Sequence, residues 1–178
     1  MLKRIDILLK QDRKTFHTED LSLLWNISIR NTLLTTIKRY TREKVLYRIF
    51  KGFYSTVPVE QLDPVALGIS AIHDYAYLST ESVLIDHGIL QQNFAYHTLI
   101  SNNTRTFSIL NHHYKVRKLR KEYLYNDTGI KYENGIRIAT VERAVADLLY
   151  YNPKYYFDGM KRIDWKKVRD IQKEIGYK

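Results

Sequence analysis

Leu2, Ile5, Leu8 and Leu9 recur at helical spacing, so the pattern predicts a short amphipathic helix over residues 2–11. The chain then turns at Asp12 to Lys14, and Thr18 precedes Glu19, Asp20 and the apolar set Leu21, Leu24 and Trp25. Acids in a first turn complement the positive end of the helix dipole, so a second short helix is expected there. Asn26-Ile27-Ser28 supplies a tight connection, and Ser28 suits the N-cap of a third helix from Ile29 to about Tyr40, with Ile29, Leu33, Ile37 and Tyr40 on one face. Val45 to Ile49 and Phe53 to Thr56 are rich in strand formers and flank Lys51-Gly52, which predicts two strands joined by a tight turn. Three helices followed by a β-hairpin is the order of a winged helix-turn-helix.

The pattern changes after Pro58 and Pro64, which bracket a linker. Asp63 can cap a helix through Val65, Leu67 and Ile72; Tyr75 to Leu78 reads as extended; and Ser79, Glu81 and Ser82 open a helix that ends at Gly88. Strands are expected over Tyr96–Ser101, Thr106–Leu110 and Tyr114–Leu119. Asn134-Gly135 between Ile130-Lys131-Tyr132 and Ile136-Arg137-Ile138 is a hairpin signal, because both residues accept the positive φ of a tight turn. Thr140 and Asp164 then cap two helices, the first burying Val141, Ala144, Val145, Leu148 and Leu149, the second Trp165, Val168, Ile171 and Ile175. The expected fold class is α+β, with a winged helix-turn-helix over residues 1–57 and a small mixed α/β domain over 58–178.

Charge sharpens this division. The chain of 178 residues carries a net charge of +10, unevenly spread. Residues 1–57 hold 12 Lys/Arg against 5 Asp/Glu, residues 58–100 hold 5 acids and no Lys/Arg, and residues 101–125 hold 6 Lys/Arg against 1 acid. Basic segments beside an acidic one suit a nucleic-acid surface better than general solubility. The absence of Cys excludes a disulfide framework and thiolate metal sites. No stretch approaches the roughly 20 apolar residues of a membrane span, and the N-terminal apolar segment is broken by Asp6 and Lys10, so a cytoplasmic protein without membrane attachment is expected.

On a wheel centred on Leu33, Ser28, Asn31, Thr35, Lys38, Arg39 and Arg42 fall opposite the buried face, each polar or basic. Asn31 suits a bidentate contact with adenine, Thr35 offers a hydroxyl or methyl, and Arg30 at the flank can reach guanine. Lys38, Arg39 and Arg42 suit phosphates, which fix position without reading sequence. In the hairpin, Lys44, Arg48, Lys51 and Tyr54 are candidates for backbone or minor-groove contact. Any surface helix is charged on its outer side, so it is the conjunction of elements, turn and charge that points to duplex DNA.

The run Lys115, Arg117, Lys118, Arg120 and Lys121 reads either as an edge strand protected by charge or as a second nucleic-acid surface. Arg143 and Asp147, spaced i,i+4, would contribute only a few tenths of a kcal/mol if exposed. No enzyme is expected. Clustered carboxylates, a Gly-rich phosphate loop and a nucleophile elbow are all missing, and adjacent His112 and His113 point to opposite faces of a strand, without metal-ligand spacing. Neither cofactor nor metal is predicted. A protein-interaction module for an acidic partner and an RNA-binding accessory are the competing readings.

Thr18 to Thr56, the segment from Ala76 to Gly88 (Ala-Tyr-Leu-Ser-Thr-Glu-Ser-Val-Leu-Ile-Asp-His-Gly) and Ile138 to Leu149 (Ile-Ala-Thr-Val-Glu-Arg-Ala-Val-Ala-Asp-Leu-Leu) together resemble the AbiEi-type antitoxins of abortive-infection systems. The resemblance implies a winged-helix repressor that binds inverted repeats before its own operon. It also implies a C-terminal domain that neutralises a nucleotidyltransferase-like toxin without a stable complex.

Overall fold

The computed structural model describes residues 4–92 and 95–177. It is mixed α+β and divides into two compact units, Met1–Ala71 and Ile72–Lys178.

In the first unit, α1 (Arg4–Leu9), β1 (Thr15–His17), α2 (Thr18–Trp25) and α3 (Arg30–Arg42) precede the hairpin β2 (Tyr47–Phe50) and β3 (Phe53–Ser55). The sheet order is β1-β3-β2, antiparallel throughout. Leu8, Phe16, Leu21, Trp25, Ile27, Leu33, Ile37, Tyr40, Leu46 and Tyr54 form one core. Each fully buried Leu or Phe contributes about 1.5–3 kcal/mol, which lets helices too short to stand alone persist. The Trp25 indole N–H donates to the Arg4 carbonyl at 3.1 Å, tying α1 to α2. α2 opens with the Asp20 carboxylate accepting from the His17 backbone N–H at 2.7 Å. It closes on Asn26 in the left-handed region (φ 50°), the conformation that makes the following turn tight. A final helix, α4 (Pro64–Ile72), is capped by Asp63, whose Oδ1 accepts from the Ala66 N–H at 2.8 Å. It is linked to the unit by the His17 Nε2–H, which donates to the Ser70 carbonyl at 2.9 Å.

The second unit holds β4 (Tyr77–Leu78), α5 (Glu81–Asp86), β5 (Tyr96–Ser101), β6 (Arg105–Ile109), β7 (His112–Lys118), α6 (Lys121–Leu124), β8 (Ile130–Glu133), β9 (Ile136–Ala139), α7 (Val141–Tyr151) and α8 (Trp165–Ile175). The sheet order is β6-β7-β5-β4-β9-β8, with β5/β7 and β4/β9 parallel and the other pairs antiparallel. Asn134 (φ 50°) and Gly135 (φ 81°) form the β8–β9 turn where the sequence placed it. Thr140 caps α7 by accepting from the Arg143 N–H at 3.2 Å, and Asp164 caps α8 by accepting from the Lys167 N–H at 3.1 Å. α5 and α8 both pack on α7.

Four expectations change. The division lies between Ala71 and Ile72 rather than near residue 58, because α4 is bonded back to His17. Ser28 does not cap α3; the N-cap is Ile29, whose extended backbone (φ −79°, ψ 111°) leaves its side chain 66% exposed rather than on the buried face. A third strand, β1, completes the first sheet at Thr15–His17, between the expected turn and the second helix, where no strand was expected. Finally, β7 is an interior strand between β6 and β5, so charge protection of an edge does not account for the 115–121 run.

Candidate nucleic-acid interface

α3 presents a continuous polar surface because its apolar residues repeat on one side only. Leu33, Thr36, Ile37 and Tyr40 are buried, whereas Arg30, Asn31, Thr35, Lys38, Arg39 and Arg42 are exposed, together with Ser28 just ahead of the helix. Among the described residues none of Arg30, Lys38, Arg39 and Arg42 takes part in an ion pair, so their charge faces solvent uncompensated. Arg39 is partly held, with its guanidinium 5.0 Å from the centre of the Tyr40 ring.

The hairpin lies alongside. Lys44, Arg48 and Lys51 are exposed, and the turn carrying Lys51 is fixed by Gly52, whose carbonyl accepts from the Thr18 N–H at 2.9 Å. Tyr54 is a correction: it is 8% exposed and belongs to the core, so it forms the floor between helix and hairpin instead of reaching outward. A groove of about 660 Å³ runs from α2 to the hairpin past Ser28, Arg30, Leu34 and Lys51. A smaller one of about 270 Å³ continues past Lys38, Arg42 and Arg48, and Leu34 lines both. Of the predicted contact residues, Ser28, Arg30, Lys38, Arg42, Arg48 and Lys51 line these two grooves, whereas Asn31, Thr35, Arg39 and Lys44 are exposed but line neither.

The 115–121 run is not a single surface. Lys115 is exposed, but Arg117 two residues on is ion-paired with the buried Glu81 and lies 5.4 Å from the Tyr151 ring. Strand alternation turns Lys118 to the opposite side of the sheet. Arg120 and Lys121 lie beyond the strand, with Arg120 3.6 Å from Glu122.

No protein-family model matches the sequence, and no curated protein does. The chain is similar to the crystal structure of the Rv2827c protein from Mycobacterium tuberculosis. The TM-score is 0.54 at 10% identity, over 95% of this chain and 69% of that one, which shows a shared fold.

The second unit holds a different arrangement, which the sequence did not reveal. Arg143 and Asp147 are fully buried and joined through Nε–H···Oδ1 at 2.8 Å. Arg143 also donates to the carbonyls of Asn126 (2.9 Å) and Thr128 (2.8 Å) and to the hydroxyls of Tyr77 (2.9 Å) and Tyr177 (3.5 Å). All five guanidinium hydrogens therefore have acceptors. Asp147 accepts further from Ser79 Oγ (2.7 Å), from Tyr77 Oη (3.1 Å) and from the Tyr177 hydroxyl. Burial works against the Arg143 charge, but Asp147 and the tyrosines reverse this and raise its pKa. Burial, and then Asp147, push the Tyr77 and Tyr177 hydroxyls well up. So the network joins β4, α7 and the segment after α8 through bonds that satisfy the Arg143 donors and both Asp147 oxygens. His87 is exposed at the end of α5, its Nδ1–H donating to the Val83 carbonyl at 2.9 Å. Among the described residues no cluster of three or more His, Asp or Glu is placed to hold a metal ion, and no helix is long and apolar enough to cross a membrane.

Proposed function

We propose that the chain is a sequence-specific DNA-binding repressor whose first unit is a winged helix-turn-helix, with α3 as the recognition helix and the β2–β3 hairpin as the wing. The observation that carries the reading is the exposed, unpaired polar and basic face of α3, continuous with Arg48 and Lys51. The order α1-β1-α2-α3-β2-β3, with β1 closing the sheet against β3, supports it. In such a domain the second helix of the pair enters the major groove and its N-terminal residues meet base edges. Asn31 and Arg30 would then read bases, with Lys38, Arg39 and Arg42 on phosphates.

The resemblance to AbiEi-type antitoxins extends the proposal. The protein acts in the cytoplasm, represses its own toxin–antitoxin operon from an inverted repeat, and neutralises a nucleotidyltransferase-like toxin through its second unit. It works as a regulator, without cofactor or enzymatic step. Gel-shift titration on the region upstream of its own gene tests the core of this. Saturable binding that weakens steeply with salt, as condensed counterions are released, is expected. Equal affinity for random duplex contradicts it.

A further inference from the structure

Basic surfaces that meet DNA have little use for exposed leucines, yet Leu34 lies at the centre of this one. It is 42% exposed and lines both grooves between α3 and the hairpin, and Leu23 of α2, 83% exposed, lines the larger of them. One helical turn on either side of Leu34 stand Arg30 and Lys38, both exposed. Whatever these two cations engage is drawn against Leu34 as well. Phosphates and most base edges are polar, and packing against Leu34 would strip water from them without supplying a hydrogen bond in exchange. The C5 methyl of thymine is the one apolar group on the floor of the major groove.

We propose that Leu34 is a specificity-determining residue that reads thymine through its methyl group, so that the preferred half-site carries an A·T pair beneath the middle of α3. This inference rests on the DNA-binding reading. It differs from that reading in naming an apolar contact, set between cations, as the discriminating one. Adding a methyl group to the groove floor therefore strengthens binding whichever base bears it.

The test uses the full chain and four alternating duplexes, dA-dT, dA-dU, dG-dC and dG-(5-methyl-dC), in fluorescence anisotropy at one salt concentration. Repeating duplexes present methyl groups in every register, so no operator need be known. dA-dT should bind more tightly than dA-dU, and the methylated dG duplex more tightly than the unmethylated one. The expected preference is about fourfold per engaged methyl, the equivalent of roughly 0.8 kcal/mol for one buried methyl-sized group. Leu34→Ala should abolish both preferences with its circular dichroism unchanged, and Leu34→Met should keep them. Binding to all four duplexes without a methyl preference overturns the inference and leaves the DNA reading standing. A preference that survives Leu34→Ala overturns it too, by assigning the effect to duplex shape. So does a change of oligomeric state in Leu34→Ala, which would assign the leucines to a second copy of the chain. Failure to bind any duplex removes the DNA reading itself.

Discussion

Asp147→Ala leaves the Arg143 guanidinium, which no accessible pH neutralises, buried without its counter-ion. It also strands the Ser79, Tyr77 and Tyr177 hydroxyls, which now donate to the carboxylate. Breaking one side of a buried pair costs about 3–5 kcal/mol. That is a large share of a typical total stability of about 5–15 kcal/mol. Because the sequence has two tryptophans, Trp25 in the first unit and Trp165 in the second, a Trp25→Phe background makes fluorescence report on the second unit alone. In urea, with a slope of about 2 kcal/mol per molar, the midpoint should fall by about 2 M. The double variant Arg143→Met with Asp147→Leu should recover the part of the loss that comes from the unpaired charge, but not the part from the Ser79, Tyr77 and Tyr177 hydroxyls and the Asn126 and Thr128 carbonyls, which it also leaves without these partners. A loss below about 1 kcal/mol for Asp147→Ala, or a double variant no better than the single one, would refute the reasoning that this pair is desolvated and mutually dependent.

Gly129 has φ +73°, and a Cβ there would lie 2.8 Å from Arg143 Cβ and 3.2 Å from Ile171 Cδ1. Gly129→Ala should therefore cost about 2–4 kcal/mol, and an unchanged melting temperature would contradict that contact. Burial, with Asp127, pushes the Tyr75 hydroxyl up to about 12, and burial, with Asp147, raises Tyr77, Tyr151 and Tyr177 further. A raised folded-state value means stability that is full below the unfolded value of 10.0 and lost as pH rises through the folded one. A late fraction of the tyrosinate absorbance at about 295 nm should accordingly form together with unfolding; complete ionisation of the tyrosines with Trp165 fluorescence unchanged would contradict the burial. Ser28→Ala should leave thermal stability unchanged, because Ile29 occupies the cap position; a loss of about 1 kcal/mol would restore Ser28 as the cap.

Local signals carried much of the fold. Asn134-Gly135, Thr140, Asp63 and Asp164 act through bonds to residues a few positions away, and each stands where the sequence placed it. The polar face of α3 was legible for the same reason, as a matter of helical phase. The misses are non-local. β1 is three residues long and exists because Thr15 to His17 pair with Phe53 to Ser55 across the unit. Arg143 and Asp147 lie on what a helical wheel makes the polar side of α7, and only cover by β4 and the segment after α8 turns that side into an interior. Tyr54 alternates outward in a simple hairpin, yet the small twisted sheet folds it beneath α3.

The central claim is that the outer face of α3 meets DNA, with Asn31 reading sequence and Lys38 fixing position. Anisotropy titration of a duplex from the upstream region and of a scrambled one, across a salt series, with the parent chain, Asn31→Ala and Lys38→Ala, tests it most directly. Asn31→Ala should lose about 1–3 kcal/mol on the upstream duplex and little on the scrambled one. Lys38→Ala should weaken both about equally and lower the salt slope by about one unit. Both side chains are exposed, so both variants should remain folded. If Asn31→Ala discriminates the two duplexes as well as the parent chain does, and Lys38→Ala keeps the parent salt slope, α3 is not the helix that meets DNA.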